Sequence, residues 1–89
     1  MNNQGCPICG YKEINVLDEF NCTTFEICES CGSESGCEYN QHSSVEHLNK
    51  IRIKWIVANK CKWWGRKSLK PKNWNPQKQM ELAKIEFEL

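Results

Sequence analysis

The sequence predicts a small α+β domain, and three observations support this fold class. The chain has 89 residues, which leaves room for one hydrophobic core. Its first half contains two C-x-x-C-G segments separated by short apolar and β-branched runs, and its second half contains helix-start signals and helical periodicity. We therefore expect a single domain over 1–89, with a cysteine-rich part at 1–41 and a helical, tryptophan-rich, basic part at 42–89 packed on it.

Four of the seven cysteines form two pairs with the spacing of a metal site. Cys6, Cys9, Cys28 and Cys31 give the pattern C-x2-C-x18-C-x2-C, and a glycine directly follows each pair. Two thiolates three residues apart can coordinate one ion only if the chain turns sharply between them, and glycine permits the positive φ of such a turn. The spacing is typical of a closed, tetrahedral zinc site. We expect one structural Zn²⁺ on these four residues, in a zinc ribbon of two knuckles and short antiparallel strands.

The N-terminal residues and the composition favour a metal over disulfides. The first five residues lack the charged and apolar regions of a signal peptide, and no run approaches the roughly 18 apolar residues of a membrane span. We therefore expect a cytoplasmic protein with no membrane contact, where cysteines stay reduced. Leu, Ile, Val and Phe together number 18, so the core is modest and a metal would supply needed stabilisation.

Between and after the cysteine pairs the chain alternates strand, turn and loop signals. Residues 11–17 and 23–27 contain apolar and β-branched runs, and Phe25 and Ile27 alternate with polar residues as in a strand. The polar segment 18–21 predicts a turn between them. Residues 32–41 are rich in Ser, Glu, Gly and Asn, which predicts a loop.

A longer helix should follow this loop. Residues 43–46 match a capping box from Ser43 to Glu46, and Asn59 can end the helix in a left-handed conformation. Helical spacing predicts that one face packs on the ribbon, formed by Val45, Leu48, Ile51, Trp55 and Ala58.

A short second helix is predicted near the C-terminus. Asn75 precedes Pro76, which is the pattern of an N-cap residue before proline at the first helical position. The helix should run for about two turns to Ala83. Residues 85–89 are either a tail or a terminal strand.

The remaining cysteines and the two histidines offer weaker sites. A second metal site from Cys37, His42, His47 and Cys61 would have loose spacing, and we expect Cys22 and Cys61 to be small buried hydrophobes instead. Lysines on both sides of Cys61 suggest a nucleophile of lowered pKa, but no base or oxyanion donor accompanies it. Because a four-thiolate zinc site has no open position, we expect no enzyme activity.

Charge is divided between the halves of the chain. Residues 1–47 contain eight acidic residues and one basic residue, whereas residues 48–89 contain three acidic and eleven basic residues. One interpretation is mutual neutralisation with no partner. A second is nucleic-acid binding by the basic stretch 48–80, whose four tryptophans would stack on bases. A third is a protein partner that is attracted electrostatically to one of the halves.

The segments G-C-P-I-C-G-Y at 5–11, C-T-T-F-E-I-C-E-S-C-G at 22–32, K-W-I at 54–56 and P-K-N-W-N-P-Q-K-Q at 71–79 cover most of the chain's motifs. With them the sequence resembles a group of small bacterial zinc-ribbon proteins. Similar sequences often have aromatic residues after the second knuckle, where this chain has Ser33, Ser35 and Cys37.

Some members of that group resemble immunity proteins of toxin–immunity systems, including contact-dependent growth inhibition. The resemblance implies no catalytic residues. It favours a non-catalytic module that binds a toxin domain, with nucleic acid as the alternative partner and the oligomeric state left open. An acidic surface suits the basic cleft of a nuclease, and the candidate docking residues are Glu13, Asp18, Glu19, Glu34 and Glu38.

Overall fold

The first half of the chain is organised by its two C-x-x-C-G turns, in a computed structural model that describes residues 5–85. In each turn the N–H of the first cysteine donates to the carbonyl five residues further on, and the glycine N–H donates back to that cysteine's carbonyl. These distances are 2.8 and 2.9 Å in the turn that begins at Cys6, and 3.0 and 2.8 Å in the turn that begins at Cys28. The two turns therefore repeat one hydrogen-bond pattern.

Pairing between extended segments is limited to isolated bridges in the described residues. Leu17 pairs with Thr23 and Ile27 with Glu34 in the antiparallel sense, and Ser35 pairs with Tyr39 in the parallel sense. The predicted turn at 18–21 is confirmed, because the N–H of Asp18 donates to the carbonyl of Cys22 over 2.8 Å. The expected antiparallel strands are thus reduced to single pairs.

The predicted strand at 23–27 is wrong for a local reason. Phe25 has a φ of 61°, in the left-handed region that extended strands never use. Its side chain is 62% exposed, and that of Ile27 is also exposed. The alternating pattern of this segment therefore does not mark a strand with one buried face.

The longer helix, α1, spans Val45–Ala58. Its N-cap is Ser44, whose Oγ accepts a hydrogen bond from the N–H of His47 over 3.1 Å. The predicted capping box is wrong by one residue, because the Oγ of Ser43 accepts instead from the N–H of Asn40 in the preceding loop. With Ser44 as the N-cap, Glu46 is the second residue of the helix. The capping box needs Glu or Gln at the third, so the Glu46 side chain cannot bond back to the N-cap N–H.

The buried face of α1 is narrower than expected and contains a charge. Trp55 and Arg52 are buried, Leu48 and Ile51 are half-buried, and Val45 is 80% exposed. Ala58 is exposed as well. Val45 and Ala58 lie in the first and last turns of α1, beyond the region of the core that the middle of the helix contacts.

The C-terminal end of α1 also differs from expectation. Asn59 has a φ of −101°, and the left-handed residues are Lys60 and Cys61, with φ values of 54° and 56°. The N–H of Cys61 donates to the carbonyl of Trp55 over 3.1 Å and closes the last turn. The reversal therefore occurs one residue later than the sequence predicts.

A 3₁₀ turn at Lys67–Leu69 leads to the second helix, α2, which spans Pro76–Leu82. The N-cap is Asn75, whose Oδ1 accepts from the N–H of Lys78 over 3.1 Å, and Pro76 occupies the first turn. The predicted start of this helix is confirmed. Within the predicted terminal segment 85–89, Ile85 packs against the core, and residues 86–89 lie outside the described part of the chain.

The core draws on both halves of the chain. Residues of the first half such as Ile8, Val16 and Tyr39 share it with Trp55 of α1 and Met80 of α2. Half-buried aromatic rings extend it. Trp63 makes edge-to-face contacts with Tyr11 and with Trp74, at centroid distances of 5.3 Å in both cases. Within residues 5–85, neither helix has the length and apolar character that a membrane crossing requires.

Candidate metal centre

The structure brings Cys6, Cys9, Cys28 and Cys31 together in the interior. All four sulfurs lie within 4.8 Å of one another. The Sγ atoms of Cys6 and Cys31 are 3.7 Å apart, and those of Cys9 and Cys28 are 3.6 Å apart. All four side chains are 7% exposed or less. Each C-x-x-C-G turn contributes two sulfurs, and the core closes over them.

This donor set fits a tetrahedral metal ion. Zn–S bonds of about 2.3 Å at tetrahedral angles place neighbouring sulfurs about 3.8 Å apart, close to the two distances observed. Four soft sulfur donors with no carboxylate among them match the preference of zinc and similar ions. The four cysteines can therefore bind one metal ion without rearranging the turns.

The four thiols lie too close together to ionise independently of one another. Burial raises the pKa of the Cys6 and Cys9 thiols well above the usual value. Hydrogen bonds from the Cys28, Cys6 and Cys9 thiols hold the pKa of Cys31 well below it. The hydroxyl of buried Tyr39 has no hydrogen-bond partner in the described residues, and burial together with charge on Cys6 raises its pKa. A bound cation would offset the negative charge that this interior otherwise disfavours.

Each glycine of the two turns is covered by a segment from the second half of the chain. Gly10 and Gly32 have φ values of 85° and 80°. A Cβ atom on Gly10 would lie 2.7 Å from the Cβ of Ala83, at the end of α2, and one on Gly32 would lie 2.6 Å from the ring of Trp64. The glycines thus serve both the turn conformation and the close approach of these covering segments.

Arg52 connects α1 to the first cysteine turn. Its Nε donates to the carbonyl of Ile8 over 2.6 Å, and its Nη2 donates to the carbonyl of Pro7 over 2.8 Å. Nη1 donates to the Asn49 side chain over 3.2 Å, within the same helix. Burial lowers the pKa of Arg52, and charge on Cys6 opposes that shift. The guanidinium therefore places positive charge next to the backbone carbonyls of Pro7 and Ile8, the two residues between Cys6 and Cys9.

Gln79 connects α2 to both cysteine turns. Its Nε2 donates to the carbonyl of Cys9 over 3.0 Å and to the Oγ of Ser30 over 3.1 Å. Its Oε1 accepts from the indole N–H of Trp74 over 2.8 Å. Gln79, positioned by Trp74 of the same W-N-P-x-x-Q motif, therefore holds α2 against both cysteine turns.

A third connection joins the second cysteine turn to the segment after α1. The N–H of Trp64 donates to the carbonyl of Ser30, and the N–H of Gly65 donates to the carbonyl of Glu29 over 2.7 Å. The Glu29 carboxylate accepts from the backbone and side-chain N–H groups of Arg66. These bonds from Arg66 hold the pKa of the Glu29 carboxyl below its usual value.

The sequence analysis did not predict the contacts that Arg52, Gln79 and Glu29 make with the two cysteine turns and the segment after α1. The spacing of Arg52 was a usable signal, because it lies four residues after Leu48 and three before Trp55, inside the apolar face of α1. A charged residue in that position requires buried partners. The partners of Gln79 and Glu29 depend on tertiary packing that local spacing does not encode.

The other predicted sites do not assemble. Within residues 5–85, the four core cysteines are the only group of three or more Cys, His, Asp and Glu ligands at metal-binding distance. Cys22 and Cys37 are exposed, so the predicted burial of Cys22 is wrong. Cys61 packs against the core, and its burial raises the pKa of the thiol. That direction is opposite to the activation that its neighbouring lysines suggested.

The predicted docking residues lie in different environments. Glu13, Glu19 and Glu38 are exposed. Asp18 is exposed too, but its Oδ1 accepts from the N–H groups of two residues in the turn that follows it. Glu34 is half-buried. The exposed carboxylates can meet a partner, whereas Asp18 also stabilises its own turn.

Comparison of the chain with family models, with curated proteins and with solved structures gives no match.

Proposed function

We propose that the four-cysteine centre binds one Zn²⁺ and that this ion is structural, in a zinc-ribbon arrangement. Zinc would supply the bonds that tie the two C-x-x-C-G turns to each other. The sulfur separations of 3.6 and 3.7 Å support this assignment. Four cysteine ligands fill the tetrahedron and leave no position for a substrate or an activated water, so the site has no catalytic role.

We propose further that the chain is a protein-interaction module that captures a basic partner, as the immunity protein that neutralises a bacterial toxin domain. The toxin–immunity role is what the sequence resemblance implies, and one observation carries the choice of a basic protein partner. Between Lys12 and Lys50 the chain has eight acidic residues and no lysine or arginine, and most of those carboxylates are exposed. A tetrathiolate zinc centre would add a charge of about −2 to the same half. A field of one sign accelerates encounter with an oppositely charged protein.

The packing of the tryptophans weighs against nucleic acid as the partner. Trp55 is buried, and Trp63 and Trp74 contact each other edge to face. Their indole N–H groups donate within the chain, to the carbonyls of Lys62 and Arg66 and to the side chain of Gln79. Three of the four tryptophans proposed for base stacking thus pack and hydrogen-bond within the chain itself.

A capture experiment tests the class of partner. The zinc-loaded chain is immobilised, exposed to lysate from the native cells with and without nuclease treatment, and bound proteins are identified by mass spectrometry. We expect retention of a basic protein that survives nuclease treatment. Retention only through RNA or DNA would contradict the proposal.

Charge reversal tests the acidic docking surface on the captured protein. Glu13, Glu19 and Glu38 are replaced by Lys together, and Lys62, Lys67 and Lys70 are replaced by Glu together in the control variant. Asp18 is omitted because it caps its turn, and Arg66 because it pairs with Glu29. We expect the acidic-to-basic variant alone to associate more slowly, most strongly at low salt. Loss of association in the control alone would move docking to the basic half.

A further inference from the structure

The strongest unexplained surface feature is Phe25. Its ring is 62% exposed although its backbone has a φ of 61°, a conformation that is unfavourable for a bulky residue. Folding thus places an aromatic side chain in solvent and does so against local backbone preference. A backbone of this kind persists only where the surrounding structure holds it in place.

The neighbourhood fixes the position of this ring. The Oγ1 of Thr24 donates to the carbonyl of Asn15 over 2.5 Å, and the N–H of Thr24 donates to the carbonyl of Val16. On the other side the ring lies against Gly36, where a Cβ atom would be 2.6 Å from its Cε1 atom. The side chain is therefore pre-positioned, which lowers the ordering cost of using it in an interface.

Phe25 follows Thr24 and precedes Glu26 and Ile27, and its ring shares its neighbour Gly36 with the Thr23 hydroxyl. Ile27 is exposed and forms an antiparallel backbone bridge with Glu34. The N–H of Ser35 donates to the carbonyl of Glu26 over 3.0 Å. Phe25, Glu26, Ile27 and Glu34 together define the Phe25 surface. An exposed aromatic residue with one acidic residue next to it in the chain and another on the segment paired with Ile27 has the composition of an anchor with a polar rim.

We infer that the Phe25 surface is the docking site for a basic protein surface that presents an apolar pocket, with the Phe25 ring as the anchor. The inference deepens the proposed function and rests on it. Charge complementarity argues for this occupant, because the whole stretch between Lys12 and Lys50 lacks lysine and arginine and its carboxylates would repel nucleic acid. Binding would bury the ring and pair Glu26 and Glu34 with cationic side chains.

The test uses a random peptide library displayed on phage and selected on the immobilised, zinc-loaded full chain. We expect enrichment of peptides that combine Lys or Arg with Leu, Met or an aromatic residue. Synthetic versions are then titrated against four chains: the natural sequence, Phe25→Asn, Phe25→Tyr and Val57→Ala. Asn tolerates the left-handed conformation, Tyr retains the ring, and Val57 is an exposed apolar residue of α1.

The Phe25→Asn variant should weaken peptide binding by at least about tenfold, and the other two variants by less than about twofold. Unchanged metal content and thermal midpoint would verify that each variant folds. Equal binding by Phe25→Asn would overturn the anchor but leave acidic docking intact. Enrichment of acidic peptides, or of none, would overturn the Phe25 surface, whereas the proposed function is decided separately by the capture of a nuclease-resistant basic protein.

Discussion

At the scale of single residues, Arg52 has the largest expected effect outside the cysteines. It supplies the donors for two carbonyls of the first cysteine turn, those of Ile8 and Pro7. In Arg52→Met these carbonyls lose their partners in a buried region. We expect a loss of roughly 2–4 kcal/mol in the free energy of unfolding, together with weaker retention of metal against a competing chelator.

The measurements are urea unfolding followed by tryptophan fluorescence and a chelator titration. Arg52→Lys should lie between the natural chain and Arg52→Met, because one ammonium group cannot reproduce the geometry of the guanidinium. Lys54→Met is the matched control, since Lys54 is exposed on the same helix. If Lys54→Met and Arg52→Met destabilise equally, the carbonyl contacts of Arg52 are not what stabilises the turn.

At the scale of elements, α2 is stabilised by its attachment to the metal centre more than by its seven residues, which are too few for an independent helix. Gln79→Glu removes the hydrogen bond to the Cys9 carbonyl and places a carboxylate oxygen beside that acceptor, whereas the Ser30 hydroxyl can turn and donate to the new side chain. We expect a loss of about 2 kcal/mol in the free energy of unfolding.

Gln77→Glu provides the control for this change, because Gln77 is exposed in the first turn of the same helix, where an acidic residue is tolerated or mildly favourable. Both variants are compared by urea unfolding. Similar unfolding midpoints for the two would show that these contacts of Gln79 contribute no stability.

The elements also show which features local sequence can predict. The start of α2 follows from Asn75 and Pro76 alone, because capping is a local interaction. The strand predicted at 23–27 does not form, because Phe25 adopts a left-handed conformation with its ring against Gly36, while Thr24 before it is hydrogen-bonded to residues 15 and 16. Likewise, Ser44 rather than Ser43 caps α1, because the Ser43 hydroxyl already accepts a hydrogen bond from the N–H of Asn40. Local patterns decide these elements only where no tertiary contact competes.

At the scale of the whole molecule, the four-cysteine cluster was predictable because the spacing of the two pairs is itself the geometric constraint. The tertiary contacts that attach this cluster to the second half of the chain could not be predicted from the sequence. Three tertiary connections, through Arg52, Gln79 and the Glu29–Arg66 pair, join the second half of the chain to the two turns. Because these connections cross between the halves, we expect both halves to respond together to loss of the metal.

Metal removal is therefore expected to unfold the chain as one unit. Zinc contributes on the order of 10 kcal/mol or more at such sites, which is comparable to the total stability of a small domain. Without the ion the two turns separate, and α1 and α2 lose the carbonyls that anchor them. Chelator treatment, Cys9→Ser and Cys31→Ser should each abolish both the helical far-UV circular dichroism and the cooperative thermal transition.

Cys22→Ser and Cys37→Ser are matched controls, because both residues are exposed cysteines outside the cluster; each variant should retain one zinc per chain and the natural thermal midpoint. Acid should act as the chelator does. The metal-bound chain holds fewer thiol protons than the unfolded chain, so stability falls as pH falls and protons displace the ion. A chelated sample that keeps its helical signal and thermal midpoint would contradict the structural role of the metal, and loss of the first half alone would contradict the coupling through Arg52 and Gln79.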